Sequence, residues 1–260
     1  MKKHLWIVLL LVLGFTTQLF AADKKKLLLI GTGPDGHPPQ THEYMLGLKL
    51  LAQCLKEAPD LEVTVVQAVS PWKNGPELIG RSDGVVLFLT EGAKWIQMDV
   101  KRVRALQRLA KRKGGLSVIH WGMGTRKAGP IKDFVNLFGA CHGGPDRKYI
   151  VVDVKTQLPT PSHPIVRGVS PIQVKDEFYY KLKRTKLGGK LTPLIKVLIK
   201  GSDEMVSWAW NRPDGGRSFG FSGLHFHKNW KLKAYRRLVT QGVMWTMDQT
   251  IPKTGLFREE

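Results

Sequence analysis

The 260-residue sequence is poor in cysteine, with only Cys54 and Cys141. A single pair supplies no disulfide framework, and a chain of this length buries enough surface to fold without staples. No bridge between the two is expected. Acidic side chains are also scarce, 21 Asp and Glu against 41 Lys and Arg, which leaves a formal net charge of +20. An excess of that size brings nucleic acid, anionic lipid and acidic polysaccharide to mind as partners. The basic residues are spread out, however, as at Lys24 to Lys26, Arg102 to Lys113 and Lys181 to Lys200, with no stacking-aromatic motif beside them. They read as solvated faces, and no nucleic-acid partner is expected. Internal repeats, low-complexity tracts and long linkers are missing, which excludes solenoids and argues for one domain.

The sequence also has no uninterrupted run of the roughly 20 apolar residues that a membrane-spanning helix needs. The most apolar stretch lies at the start. Lys2 and Lys3 precede the apolar run Leu5 to Leu13, Gly14, Thr16, Thr17 and Gln18 break its continuation, and small residues close it at Ala21-Ala22. This pattern is that of a secretory signal peptide over residues 1–21, which makes 22–260 a single exported domain, periplasmic or secreted, with no membrane association after cleavage.

What is present is an alternation of apolar β-type runs and helical patterns. Lys26 to Gly31, Glu62 to Val66, Gly84 to Leu89 and Leu116 to His120 read as strands, and the third is apolar enough to sit centrally in a sheet covered on both faces. Thr41 to Leu55 reads as a helix with Thr41 as N-cap. Asp99 to Arg112 reads as a second, with Val100, Val103, Leu106 and Ala110 inward and Gly114-Gly115 as its stop. Such alternation implies an α/β fold with an open, doubly wound, mostly parallel sheet. Further along, Tyr149 to Val154, Glu177 to Leu182, Leu191 to Leu198, Val206 to Trp210 and Ser218 to Phe221 read as strands joined by turns, and Leu232 to Met247 as a closing helix.

In an open parallel sheet, ligands sit beyond the carboxyl ends of the strands. The loop after the first strand carries Gly31-Thr32-Gly33, but Pro34 and the long path to Thr41 break the tight turn that a dinucleotide site needs. In the same loop, His42 falls in the first helical turn, where the dipole favours a neutral imidazole. At Ile119-His120-Trp121-Gly122-Met123-Gly124, a histidine stands at a glycine-backed strand exit with no Ser, Thr or Cys at the tip. His120 is therefore read as a base, acid or metal ligand, not as an acylated nucleophile. Cys141-His142 offers a thiol beside an imidazole, but adjacent residues on a strand point apart.

Several segments in order resemble the ThuA-like (trehalose utilisation) family: Ile119-His120, His163-Pro164-Ile165 with Gly168, Asp176-Glu177-Phe178-Tyr179, Trp208-Ala209-Trp210, and Gly215 to Phe219 leading to Gly223-Leu224-His225. The resemblance runs from about Lys26 to Met247. It implies the three-layer fold of class I glutamine amidotransferases and a role in sugar metabolism around disaccharides or keto-sugars. Because His120 stands near the place of the amidotransferase nucleophile, glutamine hydrolysis is not expected. Carried over by position, the resemblance points to His42, His120, Glu177 and His225.

His225 and His227 share one side if their segment is extended, and with His120 or His42 and the Glu177 carboxylate they would form a Zn-type or Mn-type set. Trp121, Trp208 and Trp210 offer aromatic faces for a sugar ring, and Arg217 offers a hydrogen-bonding fork. The function expected is action on a disaccharide or keto-sugar, as a hydrolase or isomerase, by His/Glu acid-base chemistry with or without a divalent metal. The alternative is a non-catalytic carbohydrate-binding protein on the same scaffold.

Overall fold

A computed structural model describes residues 23–257. The expected leader over 1–21 lies outside the described residues, and among those described no helix is long and apolar enough to cross a membrane. In chain order the elements are β1 (Lys25–Gly31), α1 (Tyr44–Cys54), β2 (Leu61–Gln67), α2 (Gly75–Arg81), β3 (Gly84–Phe88), α3 (Gly92–Gln97), α4 (Val100–Lys111) and β4 (Gly115–Ile119). After them come β5 (Gly124–Thr125), α5 (Ile131–Phe138), β6 (Ala140–Gly143), β7 (Lys148–Lys155), β8 (Gln173–Tyr180), β9 (Lys183–Arg184), β10 (Lys190–Ile199), β11 (Ser202–Asn211), β12 (Arg217–Phe221) and α6 (Lys233–Thr246).

The central sheet has seven strands in the order β10-β11-β12-β4-β3-β1-β2. Five of them, β12 to β2, are parallel, and β10 and β11 extend one edge antiparallel. Helices α1 and α6 pack on one face, while α2, α3, α4 and α5 pack on the other. Burial on both faces explains why β3 and β4 are apolar or small throughout, every residue of each being buried. Strands β7 and β8 form a separate antiparallel ribbon, and β5, β6 and β9 a small third sheet.

Helix α4 follows its sequence pattern with one shift. Asp99 caps it, its side chain accepting from the Lys101 N–H at 2.8 Å. The buried stripe is Ala105, Leu106, Leu109 and Ala110, with Arg102 laid over Trp95 and donating to its carbonyl. Val100, expected inward, is 59% exposed, because the 3.6-residue repeat that buries 102, 105, 106 and 109 turns position 100 to solvent.

Helix α1 begins three residues later than expected. Gln40 and His42 have φ of 68° and 52°, in the left-handed region, which no helix can continue through. Thr41 therefore does not cap; its hydroxyl donates to the Pro38 carbonyl. Cys54 and Cys141 are not bridged. Cys141 is buried against the Met123 carbonyl, and that burial pushes its thiol well above the ordinary range.

Candidate functional site

The polar residues that matter collect at the carboxyl end of the parallel strands. Strand β4 delivers His120 by ending in a tight corner, where His120 itself has φ of 46°. Such a conformation is costly for a non-glycine residue and persists only when its surroundings hold it. The turn behind it works only with glycine: a Cβ on Gly122 would lie 2.5 Å from the Leu87 carbonyl oxygen, and one on Gly92 would lie 1.8 Å from the Gly122 oxygen.

Four side chains meet there. His42, His120, His225 and Glu177 bring one ligating atom each to within 4.8 Å of one another. His120 Nε2 lies 3.0 Å from His42 Nε2 and 3.2 Å from His225 Nδ1. Glu177 Oε1 is 3.8 Å from His120 Nε2 and 3.7 Å from His225 Nδ1. His120 Nδ1–H donates to the Ser222 carbonyl at 2.7 Å, and a carbonyl can only accept, so neutral His120 presents a bare Nε2. His42 Nδ1–H donates to Asp35 Oδ2 at 2.9 Å, which leaves its Nε2 bare as well. Two unprotonated imidazole nitrogens face each other at 3.0 Å, a repulsion that a cation between them relieves, and the Tyr179 hydroxyl, 3.0 Å from His120 Nε2, is the donor that reaches one of them.

A tetrahedral zinc with bonds of about 2.0–2.1 Å separates its nitrogen ligands by roughly 3.3 Å, close to the spacing of this triad. The support behind the ligands is also of the kind metal sites use, a carboxylate on one ligand imidazole and a backbone carbonyl on another. Asp35 is the hub of that support. It accepts from Tyr44 Oη at 2.6 Å, Thr90 Oγ1 at 3.2 Å and His37 Nδ1 at 2.7 Å, besides His42.

Burial sets the charge states. It lowers His120 well below the ordinary histidine value, and the neighbouring His42 and His225 add to this. Burial likewise lowers His225 to about 4, and lowers His42 against the upward pull of Asp35. Three neutral imidazoles are thus the resting state at neutral pH. Glu177 is raised to about 7 by burial and by the adjacent Asp176. Burial alone would raise Asp35, but hydrogen bonds from His42 and Tyr44 outweigh it and keep the carboxylate ionised.

The alternation on β8 separates Asp176 from Glu177 as expected, and gives each a task. Glu177 faces the triad, while Asp176 is fully buried and accepts from the Leu224 N–H at 2.7 Å and the His225 N–H at 3.2 Å. Asp176 thereby fixes the loop that carries His225. Tyr179 places its hydroxyl 3.0 Å from His120 Nε2, and its ring stacks between those of His120 and His142. Trp121 lines a cleft with His42, Glu177 and Tyr179.

The other residues singled out from the sequence lie elsewhere. His227 does not join the triad, because Leu224 turns left-handed with φ of 73°, Phe226 makes only an isolated bridge to Thr41, and His227 opens a short helical turn, where the two-residue repeat of a strand does not apply. Trp208 and Trp210 are at most 1% exposed within the central sheet, their indole N–H groups given to the Phe138 and Gly188 carbonyls. Arg217 begins β12, at the opposite end of the sheet from the triad, and pairs with Asp248 at 2.8 Å. Asp35, Tyr44, Asp176, Tyr179 and His142 were not among the residues chosen from the sequence as functional. Tyr179 and Asp176 had a signal in the Asp-Glu-Phe-Tyr segment and His142 in its place beside Cys141, whereas Asp35 and Tyr44 had none.

Comparison with known proteins assigns the chain. The ThuA family model, described as trehalose utilisation, matches residues 28–246. The protein belongs to the ThuA family. Among solved structures it is similar to a ThuA-like protein from Bacteroides uniformis ATCC 8492, with 12% identity over 87% of this chain and 93% of that one and a TM-score of 0.65. A ThuA-like protein from Parabacteroides merdae ATCC 43184 gives 16% identity, 89% and 94% coverage and a TM-score of 0.64. The glutaminase domain of a Trypanosoma brucei CTPS matches with 10% identity, 89% and 98% coverage and a TM-score of 0.47. No curated protein matches the sequence. As a ThuA-family member with an α/β fold and a mostly parallel central sheet, the chain presents a histidine corner with no thiol in the cluster.

Proposed function

We propose that this ThuA-family protein is an exported enzyme of carbohydrate metabolism that acts on a disaccharide or keto-sugar. In this reading His42, His120 and His225 hold a divalent ion of the Zn or Mn type, and Glu177 moves the proton. The observation that carries the proposal is the convergence of three imidazole nitrogens, His120 Nε2 lying 3.0 Å from His42 Nε2 and 3.2 Å from His225 Nδ1, with a carboxylate raised to about 7 beside them. A general acid-base group works best when its pKa lies near the working pH. When bound, the ion would supply Lewis-acid polarisation of a sugar carbonyl or hydroxyl pair.

The remaining tasks fall to the protein's own side chains. Asp35 and the Ser222 carbonyl hold the His42 and His120 rings in the tautomers that present Nε2. The Tyr179 hydroxyl, whose pKa burial raises far above the ordinary value, stays protonated and can donate to an oxygen of the bound sugar. Glu177, its carboxylate beside the triad, takes a proton from a carbon or hydroxyl next to the carbonyl and returns it. Clefts of about 100 and 360 Å3 both border His37 and His42, and the smaller is lined by Glu177 and Tyr179 as well.

The test is turnover of a keto-disaccharide by the zinc-loaded protein, followed by release or interconversion of its monosaccharide parts. Turnover is expected, with Glu177→Gln lowering it by roughly 10²–10⁴-fold while metal content stays at the wild-type level. Tight sugar binding without product, unchanged in Glu177→Gln, would make the protein a carbohydrate-binding module instead. Appearance of a tagged copy outside the cytoplasm, shortened by about 21 residues, is the expected outcome for export.

A further inference from the structure

Two guanidinium groups overlook the cleft beside the triad, and they are not equivalent. Arg126 is already neutralised: it forms an ion pair with Glu91, whose side chain is buried, and lies over the Trp121 ring at 5.4 Å. Arg147 has no ion pair among the described residues. Its side chain makes one hydrogen bond, a long one of 3.4 Å to the Gly144 carbonyl. The carboxylate next to it in sequence, Asp146, is taken by Lys183. Arg147 is thus a half-buried, unspent planar fork on the rim of the cleft that Glu177 and His42 also line.

The wall beneath Arg147 is polar and incomplete. His142 is 2% exposed, with its Nδ1 buried and unpartnered, and the Nε1 of buried Trp121 is in the same state. Buried polar atoms are rarely left so, and a ligand group or a water seated in the cleft is the usual completion. Burial together with the nearby Arg147 lowers His142 to about 3, so this imidazole is neutral and does not compete with Arg147 for an anion. Tyr149, 57% exposed, stands edge-on to His142 and offers an open aromatic face.

We propose that Arg147 is the anion clamp of this sugar site, and that the substrate is a sugar acid whose carboxylate pairs with Arg147 while its ring lies against the open face of Tyr149. The inference rests on the reading of the triad as a sugar site given above. A planar guanidinium with no acid of its own matches the two oxygens of a carboxylate in a bidentate pair. A phosphate dianion would call for more uncompensated positive charge than one such group supplies. The positive charge of the whole molecule draws an anionic sugar towards the cleft.

The experiment is calorimetric titration of the zinc-loaded protein with D-glucuronate, D-glucose and glucose 6-phosphate, repeated on Arg147→Met and Arg147→Lys with zinc content measured in each. Glucuronate is expected to bind about 10-fold to 100-fold more tightly than glucose, the range for a hydrogen bond to a charged group. Arg147→Met should erase that margin without changing glucose affinity or zinc content. Arg147→Lys, which keeps the charge but loses the fork, should keep only part of it. Equal binding of glucuronate and glucose, or a margin that survives in Arg147→Met, overturns the anion clamp and leaves the sugar site standing. Tighter binding of glucose 6-phosphate than of glucuronate overturns the carboxylate assignment. If zinc is held but no sugar binds, the clamp and the sugar-site reading fall together.

Discussion

The two ends of the parallel sheet each carry polar depressions of comparable size, and volume does not tell the site from the rest. At the amino end a cavity of about 290 Å3 is lined by Lys25, Asp83, Arg112, Lys113, Arg217 and Asp248 among others. Nearly every charge there is already used. Lys25 donates to the Met247 carbonyl, Arg112 to the Gly80 and Ser82 carbonyls, and Arg217 to Asp248 and the Trp245 carbonyl, while Asp83 accepts from the Lys26 N–H. At the carboxyl end, clefts of about 100 and 360 Å3 border imidazole nitrogens that face one another unprotonated, a carboxyl raised to about 7, and two buried polar atoms without partners. The difference teaches that what marks a site is chemistry left unsatisfied by the fold, not empty volume.

Substitutions at the two ends should therefore differ in kind. The largest effect is expected from His120→Ala, which removes the central nitrogen of the triad and should abolish stoichiometric zinc binding while the protein still folds. Loss of zinc binding together with loss of the folded state would make His120 a core residue. Trp208→Ala is the converse, since it empties a fully buried position in the sheet. It should cost about 3–5 kcal/mol in denaturant unfolding and leave the zinc affinity of the folded fraction unchanged. Asp35→Asn keeps the size of the side chain but removes the charge that orients His42, and should weaken zinc binding about 10-fold to 100-fold in a chelator competition.

The amino end should answer only through stability. His163 packs against Trp245 and is held at about 4 by burial, then by Lys190 and Arg217. Its folded value lies below its unfolded one, so in the window from about 6.5 down to about 4 the unfolded chain binds more protons. The stability tied to a neutral His163 is therefore complete above that window and lost as the pH falls through it, by at most about 1.4 kcal/mol per pH unit. His163→Gln should make the acid limb of a stability profile shallower and leave zinc binding alone. Smallest of all, Arg217→Ala should change stability by no more than about 0.5–1 kcal/mol, because its ion pair is exposed to solvent. A drop in sugar or metal binding on that change would break the contrast between the ends.

Much of the fold was legible because burial on both faces writes long apolar runs into β1, β3 and β4, and because α4 carries a full amphipathic repeat with a cap. The helices not foreseen are α2, α3 and α5, of seven, six and eight residues, too short for a repeat to show. The late start of α1 was hidden too, since left-handed backbone at Gln40 and His42 leaves no mark in side-chain type. At the site, His120 was legible from its glycine-backed corner, and Glu177 and His225 from the family resemblance. Asp35, Tyr44 and His142 were not, because their roles arise from contacts made only after the chain has closed on itself. His120 meets His42 across 78 residues of sequence and His225 across 105. Trp208 and Arg217 mislead for the same reason: an aromatic ring suited to a sugar is equally suited to a core, and only the packed sheet decides.

The central claim is that the triad is a metal centre. Its most direct test is plasma mass spectrometry on the purified protein and on His120→Ala, each dialysed against a weak chelator after incubation with zinc. The account predicts close to one equivalent of zinc per chain in the wild type and almost none in the variant. A wild-type protein that retains no zinc, or a variant that retains as much as the wild type, would contradict it.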